Sequence, residues 1–371
     1  MQVEVQSEVG GRMHRRMVVV DGSSVSRLVV RDEFIRLLGA EVRSGNIGGV
    51  ETDREHRRQG YSRRLMEDTL RYMADMGQEV SMLFGIPDFY DKFGYAPFMA
   101  EYAVRVATRD AERLAQEAPG HTARSVQPED RPFIVDLYSR DSRLSPGALV
   151  RSRGAWPGFR MGSDYGLPAT AFVLQDTDGR LAAYAAFDDR PTQMRVIEAG
   201  AADPRLFPAL LRELAARAIE RRCEHIELLA PPDHPFARVL TRCGCRITSD
   251  YPRMGGGMMR LIDQDALLAR LEPALAERIG NSRFTGACVT LCIETDLATT
   301  DLQLGAARGR GERVEAGVVL PQQTLVQLVT GYRTAADVLA ETGVESRGQA
   351  RGVLEALFGG QTPYVWRTDR F

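Results

Sequence analysis

Two arginines and a glycine stand where a strand-like pattern gives way to a helical one. The stretch reads Gly49-Val50-Glu51-Thr52-Asp53-Arg54-Glu55-His56-Arg57-Arg58-Gln59-Gly60-Tyr61-Ser62. A helix begins with N–H groups that have no intrahelical acceptor. Its peptide dipoles also put positive charge at that end, so an anion is favoured there. Gly60 has no Cβ to hold a ligand away from the backbone. Arg57 and Arg58 bring guanidinium donors suited to phosphate oxygens. A pyrophosphate fits such a turn. An isolated R-x-x-G is also how a solvated basic turn reads, but the strand before it and the helix after it favour the anion site. A second segment, Phe89-Tyr90-Asp91-Lys92-Phe93-Gly94-Tyr95, gathers aromatic side chains around a short turn that Gly94 closes.

The elements that must position these groups follow from periodicity. Met17 to Val20 is apolar, Asp21-Gly22 is a hairpin signal, and Val25 to Val30 follows as the returning strand. Gly39 marks another turn, before a strand that ends at Val50. From Tyr61 to Met76 the period changes. Tyr61, Leu65, Thr69, Tyr72, Met73 and Met76 fall on one face, with Arg63, Glu67, Arg71 and Asp75 opposite, which predicts an amphipathic helix ended by Gly77. Val80 to Phe84 reads as a buried strand and Tyr102 to Val106 as another. A similar order returns later. A hairpin around Asp176-Thr177-Asp178-Gly179 precedes a strand at Met194 to Ala199, a long helix at Leu206 to Arg221, a strand at His225 to Leu229, and a short helix before Gly244. This predicts a divergent internal repeat. Its strand-to-helix junction, Ala199 to Leu206, has no R-x-x-G and carries Asp203, so a structural role is expected there.

The last hundred or so residues predict an α+β unit, with a helix at Asp265 to Ile279, strands at Ala287 to Ile293 and Val318 to Leu320, and helices near 322–329, 335–341 and 349–357. The tail, Thr362 to Phe371, is too apolar for a loose end.

The chain has 371 residues, enough for two or three domains. Hydrophobic residues are 44% and charged residues 26%, as in an ordinary globular protein. A formal net charge of −2 creates no global attraction to nucleic acid or anionic membrane. No apolar run is long enough to span a bilayer, and the N-terminus does not read as a signal peptide. Five cysteines without C-x-x-C spacing read as free thiols, and they form no metal-ligand set with the five histidines. A reducing cytoplasm fits this pattern.

Arg57 to Ser62 resembles the R/Q-x-x-G-x-G/A signature of the GNAT acetyltransferase superfamily, with Ser62 where the pattern has Gly or Ala. Phe89 to Tyr95 resembles that superfamily's later F-Y-x-x-x-G-Y/F segment. Leu83-Phe84-Gly85-Ile86-Pro87-Asp88-Phe89-Tyr90, the tandem repeat and the aromatic C-terminus narrow the resemblance to the enhanced intracellular survival (Eis) family. It implies an α/β (α+β) architecture: a catalytic GNAT unit at 1–118, a degenerate GNAT-like unit at 119–262, and a sterol-carrier-protein-like unit at 263–371. It also implies a cytoplasmic homo-oligomer, a hexamer, that transfers acetyl from acetyl-CoA to a primary amine. Aminoglycosides, polyamines and protein lysines are the acceptors open to it.

In such a protein the backbone of Val50, Glu51 and Thr52 would pair with the cofactor and polarise the thioester. Arg57, Arg58, Gln59, Gly60, Tyr61 and Ser62 would hold the pyrophosphate. Tyr90 would protonate the leaving thiolate, and the terminal carboxylate of Phe371 would act as base. An ordinary tyrosine, with a pKa of about 10, suits a thiolate of pKa about 8.5. Arg370 disfavours a polycationic acceptor beside the tail, although Asp369 partly offsets it. The superfamily's usual helices after the first strand are missing ahead of Met17, so the acceptor side is expected to be open or completed by another subunit. The competing class is a non-catalytic acyl-CoA or lipid-binding regulatory protein, against which the intact Tyr90 segment speaks.

Overall fold

The computed structural model describes residues 2–115, 120–164, 166–188, 190, 193–305 and 311–371. The expected boundary between 118 and 119 lies outside them. The chain opens with an antiparallel meander of β1 (Val3–Gly10), β2 (Met13–Val20), β3 (Ser23–Leu37) and β4 (Ala40–Thr52). Two tight turns join the last three. Asp21-Gly22 and Leu38-Gly39 both hold positive φ, 48° and 87° in the first and 51° and 85° in the second, as hairpin turns of the mirror-image type require. A helix, α1 (Tyr61–Asp75), then crosses to β5 (Val80–Gly85), which runs parallel to β4. The face that α1 buries is Tyr61, Leu65, Met66, Thr69 and Met73. The two-residue β6 (Ala96–Pro97) closes this part.

The second part comprises β7 (Glu101–Ala107), α2 (Thr108–Ala115), β8 (Thr122–Ser125), α3 (Arg131–Asp141), β9 (Ala169–Gln175), β10 (Leu181–Asp188), β11 (Met194–Ala201), α4 (Phe207–Glu220), β12 (His225–Leu228), α5 (Pro235–Thr241), β13 (Cys245–Asp250) and β14 (Gly256–Leu261). The repeat has a structural form. Each of the two seven-stranded sheets has one parallel pair bridged by a helix, β4-α1-β5 in the first and β11-α4-β12 in the second. Their other pairings are antiparallel.

The two sheets exchange strands, which the linear division at 118/119 does not anticipate. The first sheet runs β1-β2-β3-β4-β5-β14-β6, so a strand from the end of the second part lies between β5 and β6. The second runs β13-β7-β12-β11-β10-β9-β8, taking β7 from before the boundary. Each part therefore completes the other's sheet, and one continuous core links them, from Ile35 and Val80 through Phe98 and Val104 to Phe172 and Leu210.

The third part contains α6 (Gln264–Gly280), β15 (Cys288–Glu294), β16 (Thr299–Gly305), β17 (Arg313–Val319), α7 (Gln322–Thr330), α8 (Ala335–Leu339), β18 (Glu345–Gly348) and α9 (Ala350–Leu357). Its four strands form one mixed sheet, β16-β15-β17-β18. It docks through α7. Gln322 accepts from the Leu261 N–H at 3.1 Å and donates to the Gly94 carbonyl at 2.9 Å, while Gln327 donates to the Pro97 carbonyl at 3.1 Å. All five cysteines are free.

Candidate active site

Strands β4 and β5 pair from Ser44 with Val80 to Ile47 with Leu83, and then separate. The cause is visible on the other edge of β4. Val29 pairs with Gly48 and Arg27 with Glu51, so Gly49 and Val50 together face Leu28. This is a β-bulge. It leaves an extra residue unpaired and turns the end of the strand. Gly49 meets the turn with φ 61°, a conformation that costs a glycine little. Past the bulge, Arg27 grips Glu51 at 2.7 Å and Asp53 at 3.0 Å, and the Arg57 guanidinium donates to the Thr52 carbonyl at 3.1 Å. These bonds hold the strand end away from β5.

The chain then reaches α1 through Arg58 and Gly60, both left-handed at φ 63° and 84°. Gly60 is the residue that caps α1, and it has no side chain with which to accept from the first-turn N–H groups. Those donors face a pocket of about 480 Å³. Its lining includes Val50, Glu51, Thr52, Arg57, Arg58, Gly60, Tyr61, Ser62 and Tyr90. The structure thus gathers eight of the nine expected cofactor residues around one cavity. Gln59 is the exception. It is exposed, and its amide donates to the Glu55 carbonyl at 3.2 Å. The pocket also takes His56, Arg63, Ile86 and Phe89, which sequence reasoning did not assign to it. Arg63 reads from periodicity as a solvent-face residue. Ile86 is 67% exposed, a large apolar side chain at the pocket's rim.

The residues fit an acyl-CoA. Three arginines line the pocket against one carboxylate, Glu51, and Arg27 already neutralises that one. The helix N-terminus adds donors for a diphosphate.

Tyr90 stands at the far end of β5. Its ring covers Gly85 so closely that a Cβ there would come within 2.6 Å of Cε2. Phe89 and Tyr95 hold it edge-on, at centroid distances of 4.8 and 6.2 Å. Burial pushes the Tyr90 hydroxyl above its usual value, so it stays protonated near neutrality and has a proton to give.

Phe371 does not line this pocket. It lies where the two strands part. A Cβ on Gly48 would sit 3.5 Å from its carboxyl carbon, and its ring meets Phe84 edge-on at 5.6 Å. Gly48 and Phe84 are the next residues after the last paired ones on β4 and β5. The terminal carboxyl group and the Tyr90 ring therefore pack on neighbouring parts of the opening, against Gly48 and Gly85 respectively.

The second sheet has an opening of the same kind. Pairing between β11 and β12 ends at Val196 with Leu228. The chain's own tail lies there. The Tyr364 hydroxyl donates to the Leu229 carbonyl, Thr368 to Glu198, and Trp366 packs edge-on against His234 at 5.3 Å. Burial lowers His234 to about 4, and its Nδ1 accepts from the Phe236 N–H, so the ring is neutral. At the following junction, Asp203 accepts from the Arg205 N–H at 2.8 Å and is ion-paired to the Arg205 side chain.

Arg370 does not present a free charge to an acceptor, as the sequence alone suggests. Glu101 takes it at 2.7 Å, and its guanidinium lies 4.8 Å from the Phe84 ring centroid. Asp369 is likewise buried against Arg151.

Residues 8–98 match the family model described as Acetyltransferase (GNAT) domain. No curated protein matches the sequence. Solved structures resemble nearly the whole chain. A GCN5-related N-acetyltransferase from Kribbella flavida is 20% identical with a TM-score of 0.70, covering 96% of this chain and 88% of that one. A GCN5-related N-acetyltransferase from Anabaena variabilis is 18% identical with a TM-score of 0.71, at 96% and 89% coverage. Eis1 from Mycobacterium abscessus is 16% identical with a TM-score of 0.66, at 96% and 90% coverage. Residues 8–98 thus match a GNAT acetyltransferase domain, and the chain as a whole shares the fold of these solved structures.

Proposed function

We propose that this protein is an acetyl-CoA-dependent N-acetyltransferase that acts on a primary amine. The observation that carries the reading is the parted β4–β5 pair. Its mouth adjoins an arginine-lined pocket at a helix N-terminus, and a tyrosine and the terminal carboxyl group pack on its strands. In the reaction the amine nitrogen attacks the acetyl carbonyl carbon and the carbon–sulfur bond breaks. Backbone N–H groups of Val50 to Thr52 polarise the carbonyl as charge moves onto its oxygen. Arg57, Arg58, Gly60, Tyr61 and Ser62 hold the diphosphate, with Gln59 contributing through its backbone. Tyr90 gives its proton to the departing sulfur. The carboxylate of Phe371 takes the proton that the attacking nitrogen releases.

Aminoglycosides, polyamines and protein lysines remain the acceptor classes, since Arg370, the tail cation that would repel them, is paired with Glu101. The unit ranges 1–118, 119–262 and 263–371, the sterol-carrier-like character of the third, the cytoplasmic setting and a hexameric assembly rest on the sequence resemblance.

The test pairs calorimetric binding of acetyl-CoA with thiol release in the presence of an amine panel. Binding with amine-dependent thiol release supports the proposal. Binding without release on any amine favours the acyl-CoA-binding regulator instead. Adding one glycine after Phe371 displaces the carboxylate while keeping the aromatic anchor, and should cut turnover by about 10²–10⁴-fold. Full activity in that form removes Phe371 from the mechanism.

A further inference from the structure

The five residues from Arg367 to Phe371 are each held by a side chain or strand elsewhere in the fold. Glu101 of β7 takes Arg367 at 2.9 Å and Arg370 at 2.7 Å. Glu198 of β11 accepts from Thr368. Arg151, in the loop after α3, donates to Asp369 at 2.9 Å. Phe371 rests on Phe84 and Gly48. At the centre is a fully buried charge cluster. Arg151 makes two parallel bonds to Glu198, at 2.7 and 2.6 Å, and a third to Asp369. The Arg151 guanidinium lies over the Tyr138 ring at 3.7 Å, and the Tyr184 hydroxyl donates to Glu198 at 2.9 Å.

Such a cluster is poor value for stability alone, because desolvating three charges offsets most of their attraction. One cation shared by two carboxylates is poorer still. What the arrangement does supply is direction. It ties a residue near the chain's end to two elements more than 150 residues away in sequence, at a point two residues before the terminal carboxyl group. Two residues reach at most about 7 Å, so the place of Asp369 limits where the carboxylate can lie.

We infer that the buried Arg151–Glu198–Asp369 cluster is a positioning device, which sets the terminal carboxylate of Phe371 in the opening of the first sheet for proton transfer. The inference rests on the proposed role of that carboxylate as base. None of the three residues lines the arginine-lined pocket. They act through Phe371, and a displacement of about 1 Å at a reacting group costs roughly 10²-fold in rate.

Asp369→Ala and Asp369→Asn test it, with two readouts. The first is steady-state acetyl transfer. The alanine variant should lose more than tenfold in kcat with KM for acetyl-CoA changed less than twofold. The asparagine variant, whose side-chain oxygen can still accept from Arg151, should recover most of the loss. The second is digestion of the native protein with a carboxypeptidase, followed by mass spectrometry, which needs no activity. Release of Phe371 should be at least tenfold faster from the alanine variant than from wild type. Wild-type kcat in the alanine variant, or a fall in kcat with no faster release, overturns the inference. The glycine-extended chain separates the two ideas. If it is fully active, the base assignment itself fails. If it is inactive while Asp369→Ala is normal, only the positioning role fails. Should the alanine variant not fold, Glu101→Ala at its half-buried site loosens Arg367 and Arg370 and is read by the same two measurements, with the same outcomes.

Discussion

Gly85 should be the least replaceable small residue at this site, because its missing side chain is where the Tyr90 ring sits. A Cβ on Gly85 would lie 2.6 Å from Tyr90 Cε2 and 2.7 Å from Leu83 Cδ1. Carbon atoms in comfortable contact stand about 3.5–4.0 Å apart, so each neighbour must retreat by about 1 Å. The end of Leu83 is a flexible methyl group and can rotate. The Tyr90 ring cannot turn in place, since Phe89 and Tyr95 meet it edge-on, so it must translate. Gly85 is not among the positive-φ glycines, so alanine adds no backbone strain and the effect is steric. A general acid misplaced by about 1 Å costs about 10²-fold in kcat, and the overpacking itself costs about 1–3 kcal/mol of stability. The assay is acetyl transfer in Gly85→Ala, Tyr90→Phe and the double variant, with thermal unfolding followed alongside. If Gly85 acts through the Tyr90 hydroxyl, the double variant is no slower than Tyr90→Phe alone. Wild-type turnover in Gly85→Ala would refute the reasoning, and so would losses in the two single variants that multiply in the double.

The remaining predictions concern charge. Arg58→Glu should weaken acetyl-CoA binding by about tenfold or more in calorimetry, and the difference should shrink as salt screens this exposed position; unchanged affinity counts against the diphosphate assignment. Asp369 is raised to about 6 by burial first and by repulsion from Glu198, against the pull of Arg151, with the buried Tyr138 hydroxyl facing it. The folded chain therefore binds more protons here than the unfolded chain. The group's contribution to stability is whole below about pH 4 and is lost as pH rises through about 6, at a cost of at most about 3 kcal/mol. Urea unfolding of wild type and Asp369→Asn at pH 4.5 and pH 7 checks the sign. The variant should gain on wild type at the higher pH, and a constant difference would show that Asp369 titrates normally.

Much of the first sheet is legible in the sequence because its signals are local. The Asp21-Gly22 turn, the 3.6-residue stripe of α1 and the glycines that stop it each act within a few residues. The arginine turn of the candidate site is legible for the same reason, since strand, turn and helix are contiguous from Val50 to Ser62. What is not legible depends on partners far apart in sequence. Nothing in Glu101–Ala107 or Gly256–Leu261 states which sheet each joins; both are short apolar strands, and only the folded neighbours decide. The first strand, Val3–Gly10, is mostly exposed on an edge and gives too weak an alternation to be assigned. The bulge at Gly49 and Val50 exists only relative to Leu28 on the next strand. Arg151 and Asp369 are 218 residues apart and reveal their pairing only once buried together. The tail's apolar character was readable, but its path was not.

That path explains how two similar openings come to differ in use. In the first, β4 and β5 part beside a turn with Arg57, Arg58 and Gly60 that borders the arginine-lined pocket, and Phe371 packs on Gly48 and Phe84. In the second, β11 and β12 part beside a turn with Asp203 ion-paired to Arg205, and Tyr364 and Trp366 line a pocket of about 300 Å³ beside Ala199 and His234. A diphosphate at the second opening would meet the Asp203 carboxylate, already ion-paired to Arg205, beside a cavity walled by two buried aromatic side chains. The aromatic residues that line the second opening also begin the segment that ends in the first. From Tyr364 on Leu229, through Thr368 and Asp369 on β11 and Arg151, to Phe371 on Gly48, one stretch of chain runs from the second opening to the first. On the proposed mechanism the second unit would thereby serve the first as the seat against which the carboxylate is aimed.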